Sequence, residues 1–276
     1  MFYRAVMAIS IITLSATAAA AQSDRSASAN PTTESPREAW TLARSAVGDP
    51  DRWIFGSSSV TIEILNRSGE VDRTMMLEQS VMEEEDHLVL TVTPVSSRGR
   101  GFPMLPGAQG GEPSETDPDS PIGRMLSRNE SGDGPGQPQV PANPFASAVA
   151  EDVTLSNADR SRSFGGVRAR EYAIEWTDPD GSSFSGAIWL NANTGAPVRL
   201  DVTGDMAQDD IREFHTTISY GKVDGVTLPV RSITSAARRM NLFITVRTRI
   251  TVSYSDYFET DGTRQIILGE IPGQED

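Results

Sequence analysis

The chain has 276 residues, carries a formal net charge of -14 at pH 7 and contains no cysteine. This acidic balance argues against nucleic acid as a partner, because binding phosphates requires clustered positive charge. The lack of cysteine excludes disulfides, thiolate metal ligands and thiol chemistry. Without a short N-terminal targeting segment, about 250 residues remain, and these are enough for one large domain with an ordinary core.

The first 21 residues have the pattern of a signal peptide. Arg4 supplies a positive start, residues 5–14 are mostly apolar, and the small residues 16–21 provide a cleavage site before Gln22. The apolar stretch is shorter than the about 20 residues that span a bilayer. The sequence therefore predicts export to the periplasm and, at most, peripheral membrane contact. Residues 22–34 are predicted to form a flexible leader, because they offer few apolar side chains to bury.

A helix and a three-stranded meander follow. Ser35 and Glu38 have the spacing of a capping box, Pro36 suits the first helical position, and Gly48 ends the apolar helical period. Residues 60–64, 71–81 and 88–92 then alternate between apolar and polar side chains. The turns between these strands are too short for a parallel crossover, so the meander is predicted to be antiparallel.

The composition changes between residues 96 and 143 to mostly Gly, Pro, Ser and Asp. A segment of this length and composition is either functional or disordered. One interpretation is a mobile lid whose few apolar residues cover a cavity. The other is a disordered insertion. Asn143, Pro144 and Phe145 then resemble a helix start, which predicts a short helix over residues 146–150.

Apolar and polar residues alternate most clearly in the second half of the chain. The hairpin at residues 184–203 is the centre of this half, with a turn that contains Gly195. Further strands are predicted at residues 167–176, 211–220, 227–236 and 242–254. Seven to nine strands with short turns and an N-terminal helix indicate a mainly β (α+β) chain with one curved antiparallel sheet or open barrel. This domain is predicted to cover residues 35–258, with the insertion at 96–143 and a C-terminal tail at 259–276.

No residue pattern points to a reaction. His87 and His215 lie on separate predicted strands, so each is interpreted as a strand residue and a metal site as the less favoured alternative. The acidic turn at residues 83–86 is interpreted as a solvated hairpin tip, because consecutive carboxylates do not converge on one cation. Carboxylates are abundant, but nothing singles out a glycosidase pair. The chain is predicted not to be an enzyme and to need no cofactor.

One face of the predicted sheet is apolar. Such a face is either plain core under a helix or the lining of a hydrophobic pocket. We predict a ligand-binding cavity within this face. The candidate lining residues are Ile188, Val198, Leu200, Val230, Ile244, Val246, Ile250 and Val252.

Two hairpins resemble a known family. Residues 189–200 read WLNANTGAPVRL and residues 223–229 read VDGVTLP. Both are similar to hairpins of LolA-like periplasmic proteins, the outer-membrane lipoprotein-sorting superfamily, and the similarity covers about residues 165–257. The resemblance implies an incomplete antiparallel barrel wrapped around a helix and a lid-like insertion, with a hydrophobic cavity.

The resemblance also implies a function. Members of the family bind lipoprotein acyl chains, carry other lipids or sense envelope stress. The chain is therefore expected to be a periplasmic carrier for a lipid, an acyl chain or another hydrophobic ligand. The alternative is an envelope scaffold or sensor that binds another protein through its sheet edge or lid.

Overall fold

The computed structural model describes residues 35–49, 52–84, 87–98, 143–207, 211–239, 245–260 and 265–268. These residues form one helix and eleven strands. The elements are α1 (Pro36–Ala46), β1 (Trp53–Leu65), β2 (Val71–Glu83), β3 (His87–Arg98), β4 (Thr154–Phe164), β5 (Val167–Thr177), β6 (Ser183–Asn191), β7 (Pro197–Asp205), β8 (Ile211–Val223), β9 (Val226–Arg239), β10 (Thr245–Glu259) and β11 (Gln265–Leu268).

All eleven strands belong to one sheet that is not closed into a barrel. Their order is β11-β3-β2-β1-β10-β9-β8-β7-β6-β5-β4, so β11 and β4 are its two edges. Every neighbouring pair is antiparallel except β11 and β3, which are parallel. The predicted mainly β fold with one antiparallel sheet and an N-terminal helix is confirmed. The expected count of seven to nine strands is too low.

Strands also occupy parts of the predicted insertion and of the predicted C-terminal tail. β3 continues through Ser96 to Arg98, the first three residues of the predicted insertion. β11 lies within the predicted C-terminal tail and pairs with the start of β3. The predicted signal peptide, the leader and most of the insertion, including its proposed lid, lie outside the described residues.

Helix α1 begins at the predicted capping box. The backbone N–H of Glu38 donates to Ser35 Oγ at 3.3 Å, and the backbone N–H of Ser35 donates to Glu38 Oε2 at 2.9 Å. Pro36 occupies the first turn, where its missing N–H costs no helical hydrogen bond. The helix ends where Val47 adopts an extended conformation.

The segment that follows the predicted insertion holds the helix on the sheet. The indole Nε1 of Trp40 donates to the carbonyl of Ala150 at 3.0 Å, and the Trp40 and Phe145 rings stack with centroids 4.9 Å apart. Arg44 pairs with Glu151 at 2.8 Å. The short helix predicted over residues 146–150 is wrong, because the segment forms successive turns that place Phe145 and Val149 in the core.

The hairpin of β6 and β7 lies under this helix. Ile188 and Leu200 are directly opposite each other, and both are fully buried. Gly195 in the connecting turn has a φ of 71°, and a Cβ there would lie 2.6 Å from Leu42 Cβ of the helix. This position therefore requires glycine for two reasons: the backbone is left-handed, and α1 approaches too closely for a side chain. The predicted central hairpin is confirmed.

Candidate functional site

One face of the sheet, here called the inner face, carries most of the buried side chains. Directly opposed residues of antiparallel strands lie on the same face, so the register defines rows that cross the sheet. One inner row runs from β5 to β2. It contains Tyr172, Ile188, Leu200, Ile218, Ser232, Val252, Val60 and Leu77.

The part of the inner face on β5 to β8 is a filled core. Ala39, Trp40 and Ala43 of the helix pack there together with Phe145 and Val149. The strands contribute ten buried residues to the same cluster: Tyr172, Ile174, Trp176, Phe184, Ile188, Leu190, Leu200, Val202, Ile218 and Tyr220. We call this part the helix-covered half. Its apolar side chains are plain core, because the helix, Phe145 and Val149 pack on them.

The part of the inner face on β10, β1, β2 and β3 is built differently, and we call it the strand-only half. Two apolar clusters lie on these strands, and every described residue that forms them comes from a strand. One cluster contains buried Val60, Met75 and Leu77. Four half-buried residues pack against it: Ile62, Val92, Ile250 and Val252. This half combines apolar side chains with partial exposure, which is what a surface for an apolar ligand requires.

Strand β9 separates the two halves with small and hydroxylated side chains. Ser232 Oγ lies 3.0 Å from the hydroxyl of Tyr254, and Thr234 Oγ1 lies 2.9 Å from Thr216 Oγ1. All four residues are buried. We call these residues, together with Tyr220, the hydroxyl seam. The seam places polar groups in the middle of an otherwise apolar face.

Tyr220 is the exceptional member of the seam. Its side chain is 8% exposed, and its ring meets Phe145 edge-on at 5.8 Å. Among the buried side-chain polar atoms of the described residues, its hydroxyl oxygen is the one without a hydrogen-bond partner. Burial, followed by the nearby Tyr257 and Tyr254, raises the pKa of Tyr220 far above the ordinary tyrosine value, so the group stays a neutral donor.

The outer face is polar along a complete row. The row contains Thr154, Glu175, Ser185, Thr203, His215, Ser235, Arg249, Glu63, Thr74 and Arg98. Within it, Arg249 Nε donates to Glu63 Oε2 at 2.6 Å. Two cavities of about 660 and 380 Å³ meet at Thr203 and Gly204. Neither is lined by any of the eight predicted ligand-binding residues; the lining of the larger cavity is mostly polar, and that of the smaller one is mostly apolar.

The two histidines have separate environments. His87 on β3 lies 3.2 Å from Glu84, and His215 on β8 lies 2.5 Å from Asp201. Four strands, β2, β1, β10 and β9, separate them in the sheet. Within the described residues, no three His, Cys, Asp or Glu side chains come together as metal ligands. No helix in the described part of the chain is long and apolar enough to cross a membrane.

Asp201 is expected to make stability depend on pH. Partial burial acts to raise its pKa, but hydrogen bonds and positive charge from His215 and Arg199 outweigh burial and hold the pKa below the ordinary value of 3.8. A carboxyl with a lowered folded pKa stabilises the protein above its unfolded pKa, and this contribution disappears as the pH falls through the folded pKa.

We therefore expect the wild type to lose stability more steeply than Asp201→Asn between about pH 5 and about pH 2. At neutral pH the difference in unfolding free energy should be at most about 1 kcal/mol, because the site is partly exposed. Chemical denaturation across this range measures the difference. Asp205→Asn, at the exposed end of the same strand, controls for the loss of one carboxylate. Equal pH slopes for wild type and Asp201→Asn would contradict the assignment.

Seven of the eight predicted lining residues lie in the described part of the chain and fall into three groups. Ile188 and Leu200 belong to the helix-covered half and are fully buried. Val198 and Val230 lie at register shifts, where a strand has one extra residue and the alternation breaks. Val246, Ile250 and Val252 lie on β10, and the last two pack in the strand-only half. Ile244 lies outside the described residues. The structure therefore does not bring the eight together as one surface.

The sequence-based interpretation missed the hydroxyl seam. Its members, Thr216, Tyr220, Ser232, Thr234 and Tyr254, were assigned to strands without a functional role. A signal was present, because Ser232 and Thr234 replace apolar residues at positions where the period of two predicts them. Only the strand register reveals that these hydroxyls meet.

No family model matches the chain, and no curated protein matches it. Solved structures do. The sheet is similar to LolA-like structures. A LolA superfamily protein from Nitrosomonas europaea is 14% identical, with 82% of this chain and 94% of that chain covered and a TM-score of 0.36. An outer membrane lipoprotein-sorting protein domain from Vibrio parahaemolyticus is 12% identical, with 81% and 92% covered and a TM-score of 0.31.

A third similar structure is a DUF1329 family protein from Desulfovibrio piger. It is 13% identical, with 83% of this chain and 95% of that chain covered and a TM-score of 0.34. Two of the three structures come from the superfamily that the hairpin motifs resemble.

Proposed function

We propose that this chain is an exported, periplasmic binding protein that carries a lipid, a lipoprotein acyl chain or another hydrophobic ligand and catalyses no reaction. The proposed site is the strand-only half of the inner face, with Ile62, Val92, Ile250 and Val252 as ligand contacts. Val246 lies on the same face of β10 as Ile250 and completes the site at one end.

The contrast between the two halves of one face is the observation that supports this proposal. The same sheet rows continue from the helix-covered half to the strand-only half. On one half, helix residues and Phe145 pack on the apolar side chains. On the other half, the described clusters contain strand residues alone, and four of their apolar residues stay half-buried. An apolar ligand would remove this surface from water, with a gain of about 25 cal/mol per Å².

Titration with a neutral fluorescent probe, N-phenyl-1-naphthylamine, tests the proposal. The purified chain from residue 22 onward should give saturable binding near one probe per chain, and a monoacyl lipid should displace the probe. Intrinsic tryptophan fluorescence and circular dichroism verify that the sample is folded. A folded sample that shows no saturable binding would refute the proposal.

The second candidate is an envelope scaffold or sensor that binds a protein through a sheet edge. Strand β4 is the last strand in the sheet order, so its outer side has no strand partner among the described residues. An open edge can accept an extended segment from another protein. Co-purification of a stoichiometric protein partner together with an empty lipid extract would favour this alternative.

A further inference from the structure

The buried hydroxyl of Tyr220 has no hydrogen-bond acceptor within the described residues. Nearly all buried polar groups in folded proteins have a hydrogen-bond partner, and an unpaired one costs stability. The ring of Tyr220 is fixed by Phe145 and by its place in the core of the helix-covered half. Its neutral O–H is therefore held in one place and has a hydrogen to donate.

The other hydroxyls of the seam add further donors. Each hydroxyl has one hydrogen, and each pair, Thr216 with Thr234 and Ser232 with Tyr254, is joined by one hydrogen bond. One hydrogen of each pair is therefore used within the pair, and the other remains available. Tyr257 differs, because its hydroxyl donates to the backbone carbonyl of Pro229. The seam thus has more donors than it can satisfy internally.

The seam borders the proposed ligand site. Ser232 is directly opposite Val252, and Thr234 is directly opposite Ile250, on adjacent strands. Neighbouring strands lie about 4.8 Å apart, so a ligand on Ile250 and Val252 lies one strand away from these hydroxyls. Tyr220 reaches the seam from the helix-covered side, because it is directly opposite Pro229 of β9, whose carbonyl accepts the hydroxyl of Tyr257 on β10.

The charge around the seam selects a neutral acceptor over an anion. The five seam residues, Thr216, Tyr220, Ser232, Thr234 and Tyr254, all present neutral hydroxyl groups, so the seam itself supplies hydrogen-bond donors and no positive charge. A carboxylate buried without a positive partner is strongly unfavourable. A carbonyl needs only a donor, and an ester or amide carbonyl is uncharged at every physiological pH.

We propose that the hydroxyl seam, with Tyr220 at one end, binds the uncharged ester or amide carbonyl of an acylated ligand, an inference that rests on the proposed binding function. The ligand class is thereby an acyl ester or acyl amide in preference to a free fatty acid. The apolar strand-only half holds the chain, and the seam positions the carbonyl.

Two lipids that differ only at the carbonyl test this inference. Monopalmitoylglycerol carries an ester carbonyl, and 1-O-hexadecylglycerol has the same chain length with an ether in its place. Their displacement of N-phenyl-1-naphthylamine gives the ester-to-ether affinity ratio. We expect the wild type to prefer the ester by about fivefold to tenfold, which is the range for one hydrogen bond. In Tyr220→Phe the ratio should fall to about one.

The same experiment separates failure of the inference from failure of the proposed function. Tyr220→Phe should unfold at the wild-type midpoint or higher, because it removes an unpaired buried hydroxyl. Tyr257→Phe is the matched control and should keep the ester preference, since its hydroxyl is already bonded. Equal binding of ester and ether by the wild type, or an unchanged ratio in Tyr220→Phe, overturns the inference and leaves the binding function standing. Absence of any lipid binding overturns both.

Discussion

Replacing Trp40 by alanine is expected to lower the free energy of unfolding by about 3 to 5 kcal/mol. Trp40 is 8% exposed, stacks on Phe145 and donates its indole N–H to the carbonyl of Ala150. The substitution leaves a large cavity under the helix and removes the partner of a backbone carbonyl. It therefore breaks the contact that joins α1 to the turns at residues 143–152.

Urea unfolding followed by circular dichroism measures this effect. Arg37→Ala, at an exposed position of the same helix, is the control and should change stability by less than about 0.5 kcal/mol. A loss below about 1 kcal/mol for Trp40→Ala would contradict the packing of the helix on the sheet.

Replacing Ile250 by aspartate is expected to weaken binding of N-phenyl-1-naphthylamine by more than about tenfold. Ile250 is half-buried in the strand-only half, opposite Ile62 and Thr234. A carboxylate on this surface would lose hydration when an apolar ligand covers it, at a cost larger than the ligand can offset.

Ser253→Asp is the matched control for Ile250→Asp. Ser253 is exposed on the outer face of the same strand, so it receives the same charge without entering the proposed site. Its binding should equal that of the wild type. If Ile250→Asp unfolds, Ile250→Thr gives a milder test with a several-fold loss. Normal binding by a folded Ile250→Asp variant would contradict the location of the site.

The elements that the sequence predicts well have local causes. The capping box of Ser35 and Glu38 sets the start of α1, and glycine turns such as that at Gly195 set the hairpins. Two strands were not predicted, because interactions with residues distant in the sequence determine them. β4 reads TLSNADRSRSF, which is mostly polar because an edge strand need not bury a face. β11 has four residues and pairs in parallel with β3, which no turn can indicate.

The segment at residues 143–152 shows tertiary packing overriding a local signal. Asn143 and Pro144 resemble a helix start, and Asn143 Oδ1 does accept the backbone N–H of Phe145 at 3.1 Å. The chain nevertheless forms turns, because these put Phe145 against both Trp40 and Tyr220. The intrinsic stability of so short a helix is too small to outweigh the burial of Phe145.

The candidate site could be predicted only in part. The alternation correctly places Ile250 and Val252 on one face, because β10 runs without a register shift through them. It fails at Val198 and Val230, where a bulge inserts one residue and changes the face of those that follow. It also cannot distinguish Ile188, which lies under the helix, from Ile250, since both have the same local pattern. That distinction depends on where α1 packs.

Mass spectrometry of an organic extract tests the central claim most directly. The protein would be purified from the periplasm under native conditions, without detergent, and its bound molecules quantified per chain. We expect a reproducible acyl ester or acyl amide at close to one molecule per chain. A folded, periplasmic protein whose extract contains no lipid above the level of a control periplasmic protein would contradict the account.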